Sequence, residues 1–155
     1  MAARLNYATA FSGGVHAILG VEKAVHDSGI EPSLQELVKM RASQMNGCAF
    51  CLDMHSKDAR AAGETEQRLY TLPAWRETPF FTPRERAALA WTEAITNIQQ
   101  GHASDEEFEA ARKHFDEAQL VRLTVATTQI NTWNRIAIAF RAEPGKYEPK
   151  TQTKA

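Results

Sequence analysis

The scarcest informative residue in this chain is cysteine: among 155 residues there are two, Cys48 and Cys51, three positions apart. Two bunched thiols cannot be the framework of bridges between distant segments that staples a small secreted domain, so they are either a site or a coincidence. Charge of one sign is equally lacking. Eighteen Lys and Arg stand against 19 Asp and Glu, a formal net charge of −1, and without a basic excess no nucleic-acid partner is expected. No run of about 18 apolar residues occurs, so no membrane span is expected. The nearest stretch, Leu5 to Val21, is uncharged but carries Asn6, Thr9, Ser12, Gly13, Gly14 and His16, which makes a poor leader segment despite Arg4 upstream. The expectation is a cytoplasmic protein with no membrane partner. Its length suits one core rather than separate cofactor and substrate lobes.

Alternating β-branched runs bounded by turns are almost absent, and apolar residues recur instead at spacings of three and four, so the predicted fold class is all-α. Three helix starts read as capping boxes: Ser33 with Glu36, Thr82 with Glu85 and Pro83 at the first helical position, and Ser104 with Glu107. Asn46-Gly47, Gly63 and Gly101 read as left-handed stops, while Pro73 and Pro79 break the stretch between Leu72 and Thr82. The result is a single-domain bundle of about six helices: 7–28, 33–45, 48–62, 65–72, 82–99 and a final pair over 104–114 and 118–140. The last carries more apolar positions than one buried face uses, which points to a homo-oligomer. The domain is predicted over 1–141, followed by a polar arm or tail over 142–155.

The chemistry concentrates between Asn46 and His55. A Cys-x-x-Cys at a helix start brings two sulfurs together, and the positive end of the helix dipole favours the reactive thiolate. His55 follows Cys51 by four residues and Cys48 by seven, so all three side chains share one helix face. If Asn46-Gly47 turns the chain back in an αα-hairpin, Glu36 lies about 15 Å before the turn and His55 about 13 Å after it, and the two can meet. A carboxylate on the far imidazole nitrogen would fix its tautomer, giving a Glu36–His55–Cys51 relay with Cys48 as second thiol. Each part has a plainer reading. Glu36 alone is the capping partner of Ser33, and His55 alone an ordinary half-buried histidine. Cys48, Cys51 and His55 are also three zinc-type ligands, although no second Cys/His cluster supplies a fourth, and His16, His26, His102 and His114 are scattered. No metal and no cofactor is the resulting expectation. Trp75, Trp91 and Trp133, with Phe80 and Phe81, read as core or interface, and Arg41 and Arg135 as cover for helix faces.

Glu36, eleven intervening residues, Cys48-x-x-Cys51, three more and His55 together resemble the active-site signature of AhpD-like alkylhydroperoxidases in the carboxymuconolactone decarboxylase superfamily. Arg4-Leu5-Asn6-Tyr7, Thr82-Pro83-Arg84-Glu85-Arg86 and Asn131-Thr132-Trp133-Asn134-Arg135 extend the likeness to a single-domain branch along most of the chain. The resemblance implies a helical protomer in trimers or hexamers and a cofactor-free peroxidase or disulfide reductase. It implies that Cys51 attacks an organic hydroperoxide or H2O2, that Cys48 resolves the sulfenic acid, and that a thiol or lipoyl-type protein reduces the disulfide. The position between the cysteines that is histidine in the best-described family member is Phe50 here. Decarboxylases of the superfamily lack the cysteine pair. A non-catalytic redox sensor or a Cys/His metal site is the alternative.

Overall fold

The computed structural model describes residues 2–149, which are mostly helical with no strand among them. The elements are α1 (Tyr7–Ala10), α2 (Ser12–His26), α3 (Pro32–Asn46), α4 (Ala49–Ala61), α5 (Glu66–Thr71), a 3-10 helix (Leu72–Glu77), α6 (Pro83–Thr96), α7 (Ile98–Gly101), α8 (Asp105–Arg112) and α9 (Glu117–Phe140). No helix among the described residues is long and apolar enough to cross a membrane.

Helix α3 is the centre of the bundle, packed by α4, α6 and α9, and it feeds three separate cores. Leu34 and Val38 join Trp91, Phe115 and Leu123; Leu37 and Met40 join Leu72, Trp75 and Leu89; Ala42 joins the two cysteines, Ile130 and Ala137. An ordinary surface helix buries one stripe, whereas α3 buries side chains on most of its circumference. In α9 the positions Leu120, Leu123, Ile130, Asn134 and Ala137 turn inward at helical spacing, while Val121, Val125 and Ile138 remain exposed.

The structure differs from the sequence reading in five places, one being the helix expected over 82–99, which breaks at Asn97 (φ −98°, ψ 34°) into α6 and α7. The first helix breaks at Phe11 (φ −144°, ψ 67°) ahead of Ser12-Gly13-Gly14, a run of weak helix formers. The Phe11 ring lies over Gly14, where a Cβ would sit 2.3 Å from it, so any larger residue there must displace that exposed ring. The Ser33 capping box does not form: α3 starts at Pro32 with Glu31 at the cap position and no side-chain cap bond. Gly101 is not the left-handed stop; His102 (φ 55°) and Ala103 (φ 48°) take that conformation instead. The Leu72–Thr82 stretch winds into a 3-10 turn, because Pro73 is acceptable at a helix start and the Arg86 guanidinium donates to the carbonyls of Trp75, Arg76 and Thr78. The Thr82 and Ser104 boxes form as read, and a third at Asp116 with Gln119 was not foreseen.

Of the 142–155 arm, residues 142–149 are described and run without regular structure along α4. Gly145 N–H donates to Asp53 Oδ2 at 2.9 Å, Lys57 Nζ to the Tyr147 carbonyl at 2.9 Å, and the Tyr147 hydroxyl to Asp58 Oδ1 at 2.7 Å. Residues 150–155 lie outside the described residues.

Candidate active site

The turn between α3 and α4 builds the site. Gly47 adopts the left-handed conformation (φ 67°, ψ 34°), and Cys48 N–H reaches back to Ser43 O at 3.0 Å, a bond that closes a helix and sends the chain back on itself. Cys48 is thereby left in extended conformation as the cap residue of α4, with Cys51 in the first turn. Both thiols are free and each is 1% exposed.

One turn beyond Cys51, His55 is buried, and its Nδ1 meets Glu36 Oε2 at 2.9 Å. The contact across the hairpin therefore exists. It can exist because Glu36 is not engaged at the start of α3, where the Ser33 box would have held it. With a carboxylate acceptor at Nδ1, the imidazole carries its proton there and leaves Nε2 as the free nitrogen.

A cavity of about 690 Å³ opens on this group. Cys51, His55 and Glu36 form part of its wall; Cys48, equally buried, does not. Leu19, Phe50, Met54 and Trp133 make the wall largely apolar, so Trp133 belongs to the site and not to the core where Trp75 and Trp91 sit. Arg41 instead pairs with Glu93 at 2.7 Å and Arg135 donates to the Asn131 carbonyl, and neither lines the cavity.

Sequence reasoning missed Lys39, for which the one signal was a lysine between Val38 and Met40 on a helix buried on most sides. Its Nζ lies 2.7 Å from Glu22 Oε1 and 3.8 Å from Glu36 Oε1, and its side chain is 8% exposed. Burial works to raise the Glu22 carboxyl, but the charge and hydrogen bond of Lys39, aided by His55 and Trp133, bring it below its ordinary range. Tyr147, from the arm, also lines the cavity. Burial and its bond to Asp58 push its hydroxyl up to about 12, so it stays a donor.

The two thiols are polarised in opposite directions. The Cys51 thiol donates to Cys48 Sγ, and with burial opposing, the N–H groups of Cys51 and Phe50 and the Asn134 side chain add to it, holding the Cys48 thiol well below the usual range. Cys51 is pushed up by giving its proton to that bond, by burial and by the Cys48 charge. Cys48 is thus the more acidic thiol of the reduced pair and Cys51 the one that favours its proton. The zinc-type set Cys48, Cys51 and His55 does not gather. Among the described residues the donors that fall within 4.8 Å of one another are those of Glu36, His55 and Asp58, with neither cysteine among them.

Comparison with known proteins gives concordant results. Residues 15–94 match the carboxymuconolactone decarboxylase family. An uncharacterized protein of Bacillus subtilis, YdfG, is 48% identical over 140 residues, covering 90% of this chain and 95% of its own length. A crystal structure from Agrobacterium tumefaciens, of a protein of unknown function proposed for antioxidant defence as an AhpD, superposes with a TM-score of 0.91 at 44% identity over 94% of this chain and all of that one. An uncharacterized peroxidase-related protein from Ralstonia eutropha with an alkylhydroperoxidase AhpD core shares the fold at a TM-score of 0.79 and 19% identity, over 90% of this chain and 74% of that one.

Proposed function

This chain belongs to the carboxymuconolactone decarboxylase family as an AhpD-like member, and from that membership we propose that it is a thiol-dependent hydroperoxide reductase that cycles a Cys48–Cys51 dithiol. The observation that carries the reading is the asymmetry of the pair. Only Cys51 faces the cavity, and it does so beside a histidine whose far nitrogen is held by a carboxylate 2.9 Å away.

The chemistry uses the charge distribution already present. As a hydroperoxide enters, the Cys51 proton moves along its existing bond to the Cys48 sulfur, and the Cys51 thiolate attacks the terminal peroxide oxygen. The S–O bond forms, the O–O bond breaks, the sulfur loses two electrons, and the leaving alkoxide takes a proton that His55 Nε2 first draws from solvent water entering the cavity. Glu36 keeps that nitrogen in place. Cys48 Sγ then attacks Cys51 Sγ, the S–O bond breaks, and the proton parked on Cys48 leaves with hydroxide as water. An external dithiol, a thiol or a lipoyl-type protein, reduces the disulfide by exchange and is itself oxidised. No cofactor takes part. The exposed Phe11, Leu19, Val121 and Val125 support assembly into a homo-oligomer, trimeric or hexameric by analogy with the family.

The test is a thiol count and intact mass on reduced protein before and after a small excess of cumene hydroperoxide. Wild type is expected to lose two thiols and two mass units; Cys51→Ser is expected to lose none; Cys48→Ser is expected to accumulate a trappable sulfenic acid. Two thiols lost once, with no turnover on any dithiol reductant, would identify a redox sensor instead. No thiol loss at all would overturn the dithiol reading.

A further inference from the structure

Behind the cysteines stands an asparagine that neither spacing nor the cavity points to. Asn134 of α9 is fully buried, one turn beyond Ile130 and three residues before Ala137, and those two residues pack directly with Cys48 and Cys51. The two ends of an amide differ only in whether they give or take a hydrogen, so its partners decide which end faces the sulfurs.

Those partners leave a single arrangement. Asn46 Nδ2 donates to the Ala42 carbonyl at 2.9 Å, and a main-chain carbonyl can only accept, so the nitrogen of Asn46 is also what meets Asn131 Oδ1 and Asn134 Oδ1, each at 2.8 Å. Asn131 is fixed independently: its Nδ2 donates to the Thr127 carbonyl at 2.9 Å and its Oδ1 accepts from Arg135 Nη1 at 2.9 Å. Asn134 therefore has its oxygen on Asn46 and its nitrogen on the other side. There Ser43 Oγ engages one hydrogen at 3.0 Å, and because the Ser43 carbonyl accepts from Cys48 N–H and the neighbouring Ile130 and Ala137 cluster with both cysteines, the second hydrogen is left on the side of the thiol pair.

We propose that Asn134 is a thiolate-holding residue of the site, its Nδ2–H donating to the cysteine sulfur that carries the charge of the reduced pair. A buried donor aimed at a sulfur favours the ionised form over the thiol, and the chain of amides gives it no freedom to turn its oxygen there instead. In the disulfide that sulfur is neutral and accepts weakly, so the same contact favours the dithiol over the disulfide. Helix α9 thus sets the reactivity of a pair carried by α4. The proposal rests on the dithiol reading, but its readout is thiol ionisation with no peroxide present, so the two can fail separately.

The experiment is the rate of iodoacetamide alkylation of reduced protein as a function of pH. Wild type would be compared with Asn134→Leu, with the isosteric Asn134→Asp, and with Thr92→Val, which removes a buried hydroxyl facing Thr127, about two turns before Asn134 on α9 and without contact to its amide. Asn134→Leu is expected to shift the ionisation midpoint upward and slow alkylation on the order of tenfold below it. Asn134→Asp is expected to shift it at least as far, because a carboxylate repels the thiolate. Thr92→Val, destabilised by a comparable loss, is expected to keep the wild-type profile. A Leu or Asp profile that overlays wild type, or a shift that Thr92→Val reproduces, overturns the proposal. If the 134 variants do not fold, the side-chain amide resonances of Asn134 in wild type decide: they are expected to move through the thiol titration and again on disulfide formation, and unmoved resonances refute it.

Discussion

Replacing Lys39 by Met tests whether the buried charges of the cavity are held by one another. The thioether keeps the length and most of the packing of the lysine stem but removes the ammonium 2.7 Å from Glu22 and 3.8 Å from Glu36. Breaking a fully buried pair by deleting one partner costs about 3–5 kcal/mol, and breaking an exposed one about 0–1 kcal/mol. Lys39 is 8% and Glu22 28% exposed at the side chain, so the expected loss at neutral pH lies between these limits, about 2–4 kcal/mol. The sign of the pH dependence is the sharper test. In wild type Glu22 is depressed below its ordinary value, so its contribution is present above the unfolded glutamate pKa and is lost as pH falls through the folded one.

In Lys39→Met burial is left largely unopposed, and the folded Glu22 value moves above the unfolded one. The variant then loses stability as pH rises from the unfolded value through the folded one, so the gap between the two proteins is widest near pH 7.5 and narrows toward about pH 4.5, where glutamate titrates in the unfolded chain. Urea unfolding followed by tryptophan fluorescence, at fixed protein concentration and at both pH values, measures the gap. Adding Glu22→Gln to Lys39→Met is expected to recover at least half of the loss, since an uncharged amide no longer needs the ammonium. A gap below about 1 kcal/mol at pH 7.5, or one of the same size at both pH values, would refute the reasoning, because it would place the pair with exposed ones.

Two further outcomes follow from local geometry. Thr82→Ala is expected to cost about 1 kcal/mol, because its hydroxyl accepts from Glu85 N–H, whereas Ser33→Ala is expected to change stability by less than about 0.5 kcal/mol because Ser33 caps nothing; chemical denaturation of both checks the pair. Gly47→Ala meets no steric obstacle but must hold φ at +67°, which costs on the order of 1 kcal/mol and strains the turn that presents Cys48, so a lower Tm and a changed alkylation profile are expected together.

In the part of the site carried by one hairpin, all of the central charged and thiol groups but Lys39 were legible in the sequence. Cys48, Cys51 and His55 are placed by helical spacing on a single element, and Glu36 by counting rise back from a glycine turn, so local geometry is enough to assemble them. What escaped was everything delivered from elsewhere. Glu22 comes from α2, Trp133 and Asn134 from α9 and Tyr147 from the arm, at separations where periodicity says which face a residue occupies but not what that face meets. The false Ser33 box has a local cause: Pro32, whose missing N–H suits the first helical position, starts α3 one residue early and moves the serine inside the helix. The all-α class was legible for the opposite reason, since it depends on the period alone.

Acidity and access point to different cysteines, and their disagreement is what makes the pair usable. A thiolate on Cys48 is the more acidic group, favoured by the start of α4, yet it has no share of the cavity wall. Cys51 has the access but holds its proton. Were the charge already on Cys51, the sulfur in the cavity wall would stand ionised where peroxide enters, open to sulfinic and sulfonic acids that no ordinary reductant reverses. In the proposed cycle, with the charge one hydrogen bond deeper, Cys51 would become nucleophilic only when its proton crosses to Cys48, and Cys48 would stand beside it as the resolving sulfur when the sulfenic acid forms. The side chains that keep the charge at the deeper sulfur are thus as much a part of the site as the sulfur that meets the substrate.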